Sequence, residues 1–154
     1  ELVRGSYDYI LIDCMPSLGM ITINAFTCAD SILIPVQAAY LPVKGLKQLI
    51  KTIGKVKRQI NPKLEVGGIF LTMANDTNFR KDVVKAIKEN YKRHFPVFDT
   101  VIPATVRLGE ISTTDKSIFK HDRGGKAAKA YANLVKEVQG IGERQRIQPS
   151  DLSR

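Results

Sequence analysis

Residues Tyr7 to Gln37 read YDYILIDCMPSLGMITINAFTCADSILIPVQ. The stretch holds two short runs of branched aliphatics, Tyr7 to Asp13 and Ser31 to Val36, set about 20 residues apart. Neither run alternates apolar with polar residues, which is the pattern of strands buried on both faces of a parallel sheet. Two further segments share it, Val66 to Met73 and Val97 to Pro103. Between them the periodicity turns helical. Leu46, Leu49, Ile50, Ile53, Val56 and Ile60 recur on one face until Asn61-Pro62 ends the run. Phe79, Val83, Val84, Ile87 and Tyr91 form a second stripe behind Asn78, an expected N-cap. Ala127, Ala130, Tyr131, Leu134, Val135 and Val138 form a third, over Lys126 to Gln139. Strands alternating with helices predict an α/β fold, a mostly parallel sheet with helices on both faces.

With 154 residues, the chain is long enough for one core and short for two. Residues 1–140 are read as one unit and 141–154 as a polar tail, where periodicity fades and fraying is expected. The first buried-type strand starts only seven residues in. A doubly wound domain seldom begins at an inner strand, so the expectation is that the N-terminal part of the domain is missing. No apolar run approaches the roughly 20 residues of a membrane span, and Glu1 to Gly5 lacks signal-peptide character. A cytoplasmic protein is expected. Cys14 and Cys28 have no metal spacing and are read as core residues of a reducing compartment.

The chain carries 24 Lys+Arg against 15 Asp+Glu, a formal charge of +9 that favours polyanionic partners. Much of the excess lies in Lys44 to Lys63, KGLKQLIKTIGKVKRQINPK, which holds seven basic residues and no acidic one. On a helical wheel Lys44, Lys47, Lys51, Lys55 and Arg58 fall in one sector opposite the apolar stripe. Such a row spans about 21 Å at 1.5 Å per residue and can follow several DNA phosphates. The same row also serves as a plain solvated face. No aromatic residue interleaves with it, which argues against stacking on single strands.

Asp13 closes an apolar strand at the carboxyl side, where open α/β sheets bind ligands. A carboxylate there can hold a metal-bound water beside a phosphate, or it can cap the next helix. No glycine-rich loop ending in Gly-Lys-Ser/Thr occurs in the sequence. Gly124-Gly125-Lys126 is followed by Ala127 and reads as a loop-to-helix junction. His94 and His121 have no partner at ligand or triad spacing and are read as surface residues. Ser17, Ser112 and Ser117 are equally unaccompanied.

The run YDYILIDCMPSLGMITINAFTCADSILIPVQ closely resembles the ParA/Soj family of deviant P-loop NTPases, with its YDYIIIDCPPSLG block, TxNAL helix and ADxVIIPVQ strand. The resemblance resumes at Gly45-Leu46, at Gly68 to Met73, and at Ile102 to Glu110, IPATVRLGE, which is similar to the family's IPRNVRLSEA segment. It covers about residues 6 to 139. The family implies an ATP- and Mg2+-dependent dimer that binds duplex DNA nonspecifically in chromosome or plasmid partitioning and is discharged by a ParB-like partner. Asp13 matches the Walker B aspartate, which acts on the metal through water. Thr72, Met73 and Pro103 match the strand ends near the family's adenine, and Arg107 matches a basic position used towards DNA. Met15 stands in place of the first proline of Pro-Pro, Ala39 where an acidic residue often follows, and Ala104-Thr105 in place of Arg-Asn.

The resemblance makes the intact protein a Mg-ATPase and this chain its C-terminal portion, inactive alone for want of the phosphate loop. Two other readings stay open. A MinD-like membrane-positioning ATPase calls for an amphipathic C-terminal helix, and Ile141 to Arg154 has no continuous apolar face. A non-enzymatic regulator would lack the loop naturally.

Overall fold

The computed structural model describes residues 4–15, 17–37, 42–74 and 78–147, and the side chains of these except 4, 42–44, 78–81 and 141–147. After a short 3-10 turn at Arg4–Ser6 the elements are α1 (Met20–Cys28), β1 (Ser31–Gln37), α2 (Pro42–Gln59), β2 (Glu65–Ala74), α3 (Asn78–Tyr91), β3 (Val97–Pro103), α4 (Val106–Ile111), α5 (Ile118–His121) and α6 (Lys126–Ile147). The three strands form a parallel sheet in the order β1-β2-β3, which is the α/β architecture that the strand and helix patterns predict.

The central strand β2 divides the core. Ile69 and Leu71 point to one face, where they join Ile34 and Val36 of β1, Phe26 of α1, Leu46, Ile53 and Val56 of α2, and Val83 and Ile87 of α3. Phe70 points to the other face and packs with Phe98 and Ile102 of β3 against Leu134 and Tyr131 of α6. Ile118 of α5 extends this second layer onto Ala127 and Ala128. Helices α1 to α3 thus cover one face, and α4 to α6 the other.

Local chemistry fixes these elements. The Asn61 amide closes α2 by donating to the carbonyls of Phe26 and Ala29, at 3.0 and 2.8 Å, and so ties two connections together. Along β3 the register to β2 advances four residues, Val97 to Val101, while β2 advances two, Ile69 to Leu71. The amides of Asp99 and Thr100 freed by this bulge both donate to the Glu137 carboxylate of α6, at 2.9 and 2.8 Å. One side chain thus satisfies two orphaned donors and pins α6 to β3.

Several expectations are corrected. Tyr7 to Asp13 forms no strand: the segment joins no ladder, and its side chains are exposed, Leu11 at 87%. An all-apolar strand is stabilised by ladders and by cover on both faces, and the described residues supply neither here. Cys28 is exposed at the end of α1 and Cys14 is half-buried, so neither is a core residue. Ile60 lies just past α2 and is half-exposed rather than part of the apolar stripe. The last helix continues through Gly140 to Ile147, beyond the expected onset of the polar tail, and 148–154 lie outside the described residues, as do Pro16 and Ala39. The side chain of Asn78, the expected N-cap, is outside them too.

Gly68 and Gly67 answer to different neighbours. A Cβ added at Gly68 would run into the buried ring of Phe98, whereas one at Gly67 would meet the Ser31 hydroxyl, which can rotate away. Gly68→Ala is expected to lower unfolding stability by about 1–3 kcal/mol, the usual penalty for overpacking, and Gly67→Ala by clearly less. Urea unfolding followed by circular dichroism checks the order.

Candidate functional site

Because all three strands run parallel, their carboxyl ends meet at one edge. Gln37 of β1 lies opposite Thr72 of β2, and Ala74 lies opposite Pro103 of β3, with the Ala104 amide donating to the Ala74 carbonyl at 3.1 Å. Thr72, Met73 and Pro103 are therefore neighbours, as their shared position at strand ends implies. Met73 takes a φ of 52°, a left-handed conformation that costs a non-glycine residue about 1–3 kcal/mol and concentrates at ligand-facing positions. The Gln37 amide donates to the Met73 sulfur at 3.2 Å. Sequence reading passed over Gln37, although its place as the last residue of β1 was the available signal.

Asp13 does not join this group through the sheet. It sits exposed in the unpaired segment ahead of α1. Among the described residues no cluster of His, Cys, Asp and Glu could hold a metal ion. Mg2+ beside a nucleotide takes one or two carboxylates together with phosphate oxygens, and the lysine and backbone cradle for those phosphates has no counterpart in this sequence.

The second candidate surface is on α2. Lys47, Lys51, Lys55 and Arg58 are exposed, while Leu46, Ile53 and Val56 turn into the core. The amphipathic reading of this helix holds, and α2 contains no acidic residue. Lys44 lies in α2 with its side chain outside the described set.

Arg107 is in the opposite layer, near the start of α4. The Thr105 hydroxyl caps that helix by accepting from the Leu108 amide at 3.3 Å, threonine being one of the favoured N-cap residues. The Arg107 guanidinium donates to Glu110 Oε2 at 3.0 Å, and His121 Nε2 of α5 is 3.0 Å from the same oxygen. With its side chain only 20% exposed, His121 is not the unpartnered surface residue that spacing suggested. Eleven residues separate it from Glu110, and the turn between α4 and α5 brings them together. The sheet thus lies between the basic row and Arg107.

Hydrogen bonds from His121 first, and then from Arg107, hold the Glu110 carboxyl below the ordinary glutamate range. A lowered folded-state pKa contributes stability above the unfolded value and loses it as pH falls through the folded one. Carbon-13 titration of Glu110 is expected to give a midpoint below that of a free glutamate. His121→Phe should raise it more than Arg107→Ala does. A midpoint unmoved by either change would show that the shared oxygen is not bonded in solution.

Comparison with known proteins follows the same lines. A family described as an AAA domain, AAA_31, matches residues 1–66. The chain is 42% identical over 143 residues to the sporulation initiation inhibitor protein Soj of Bacillus subtilis, covering 92% of this chain and 56% of that protein. It is 42% identical over 137 residues to the chromosome partitioning protein ParA of Myxococcus xanthus, covering 88% and 48%. Among solved structures, cobyrinic acid a,c-diamide synthase from Mycobacterium smegmatis superposes with a TM-score of 0.68 at 27% identity, over 97% of this chain and 51% of that one. A structure of that synthase with bound ADP and magnesium superposes at 0.62 with 30% identity, over 82% and 52%. The chain is similar to these Soj and ParA proteins over about nine-tenths of its length, and it spans about half the length of the curated relatives it matches.

Proposed function

We propose that this ParA/Soj-like chain is the C-terminal portion of an ATPase that partitions DNA, working in the intact protein as an ATP-dependent dimer with a ParB-like activator. The observation that carries the reading is the 42% identity to Soj across nearly the whole chain. It outweighs the 27% identity to the synthase of similar fold. In this reading Thr72, Met73 and Pro103 border the adenine, and Asp13 stands on the metal side. ATP and Mg2+ belong to the intact protein, since a phosphate cradle provides most of the affinity in this class. Association with ADP and magnesium in the synthase of related fold supports that assignment.

DNA is the proposed polyanion, bound without sequence preference. The α2 row has the length and the uninterrupted charge to follow phosphates, and Arg107 adds a separate contact from the other layer. Among the described residues no helix is long and apolar enough to cross a membrane.

The isolated chain is expected to bind Mg-ATP negligibly by titration calorimetry. Micromolar binding would place the nucleotide site elsewhere. In the full-length protein with Mg-ATP, changing Lys47, Lys51 and Lys55 together to Glu should weaken binding to all duplex sequences alike. The salt slope of log K should flatten by up to roughly three units, at about 0.9 per lost phosphate contact. Retention of both affinity and slope would mean that the row is only a solvated face.

A further inference from the structure

Arg107 is not a free cation. Its guanidinium is engaged by Glu110, with Asp122 adding a further negative field. Glu110 is in turn fixed from behind by His121, which shares the same oxygen. The three groups come from two helices, α4 and α5, and Glu110 is the member between the other two. Arginine recognises phosphate and carboxylate through the same planar fork of donors, so a phosphate approaching Arg107 meets an edge already taken.

We propose that Glu110 is an intramolecular competitor for the phosphate at Arg107, held in place by His121, so that this contact forms only when DNA displaces a carboxylate. The inference rests on the reading of Arg107 as a DNA contact. Its consequence is discrimination. Weak or isolated anions leave the Arg107–Glu110 pair intact, whereas a duplex already held at other cations presents a phosphate at high local concentration and wins the exchange. Glu110 here is a positioning residue that sets the availability of Arg107.

Glu110→Gln tests this directly, because the amide keeps an oxygen for His121 but loses the charge that holds Arg107. The assay is duplex binding by the full-length protein with Mg-ATP, titrated against salt. Exposed ion pairs are weak, so the expected gain in affinity is about two- to fivefold. The salt slope should change by well under the roughly 0.9 of one phosphate contact, because the contact at Arg107 forms in both proteins. In an Arg107→Ala background the gain should fall to that of one plain unit of lost negative charge. Glu89→Gln removes the same unit of charge from the exposed Lys85–Glu89 pair of α3. Its smaller effect should persist in the Arg107→Ala background, which separates competition from general electrostatics. No gain from Glu110→Gln beyond that of Glu89→Gln, or a gain undiminished by Arg107→Ala, overturns the proposal while leaving the DNA reading in place. Absence of salt-dependent binding by the unsubstituted protein overturns both.

Discussion

Everything in this structure hangs on β2, the one strand among the described residues with a ladder on each edge. Its alternating residues supply both layers of the core, Ile69 and Leu71 on one face and Phe70 on the other. The glycines at 67 and 68 let the chain come close to Ser31 and to Phe98. With no side chain at Gly68, the Phe98 ring can lie over the strand, and Phe70 stacks beside it with ring centroids 6.5 Å apart. Offset aromatic contacts of this kind add to the energy of burial. Because both ladders are parallel, the same strand also brings the carboxyl ends of its neighbours to one edge.

The two outer strands are treated differently. β3 is covered by α6, and its bulge donors are taken by Glu137. β1 keeps Leu33 and Pro35 exposed on the face that α6 does not reach, and the exposed apolar residues from Tyr7 to Ile21 precede it in the chain. Large exposed apolar side chains gathered in one stretch are commonly covered by another surface. That distribution fits a chain spanning about half the length of its curated relatives.

How much was legible in the sequence followed the range of the forces involved. β3 matched from end to end, and β1 and β2 to within a residue at either end, because their hydrophobic runs are covered by helices of this same chain. The α2 stripe was legible for the same reason, since Leu46, Ile53 and Val56 meet partners encoded nearby. Tyr7 to Asp13 carried an equally clear strand pattern and stayed unpaired, because pattern reports what a segment needs and not what the chain supplies. The Glu110–His121 contact was invisible, since it depends on how α4 turns into α5 and not on any repeat. Gln37 was missed because its significance comes from Met73 on the neighbouring strand, where a left-handed backbone has no sequence signature in a residue other than glycine.

In the proposed reading this chain provides the strand-end edge at Gln37, Thr72, Met73 and Pro103, the basic row of α2, the paired Arg107 of α4, and a carboxylate at Asp13 that acts beside a phosphate cradle. Asp13 makes the most direct test, because it is exposed and contributes nothing to the core described here. ATP turnover by the full-length protein carrying Asp13→Ala, with folding verified by circular dichroism, is the deciding measurement. The account predicts loss of turnover well beyond tenfold with the fold intact. Turnover within tenfold of the unsubstituted protein, under about 1.4 kcal/mol in the barrier, would contradict it.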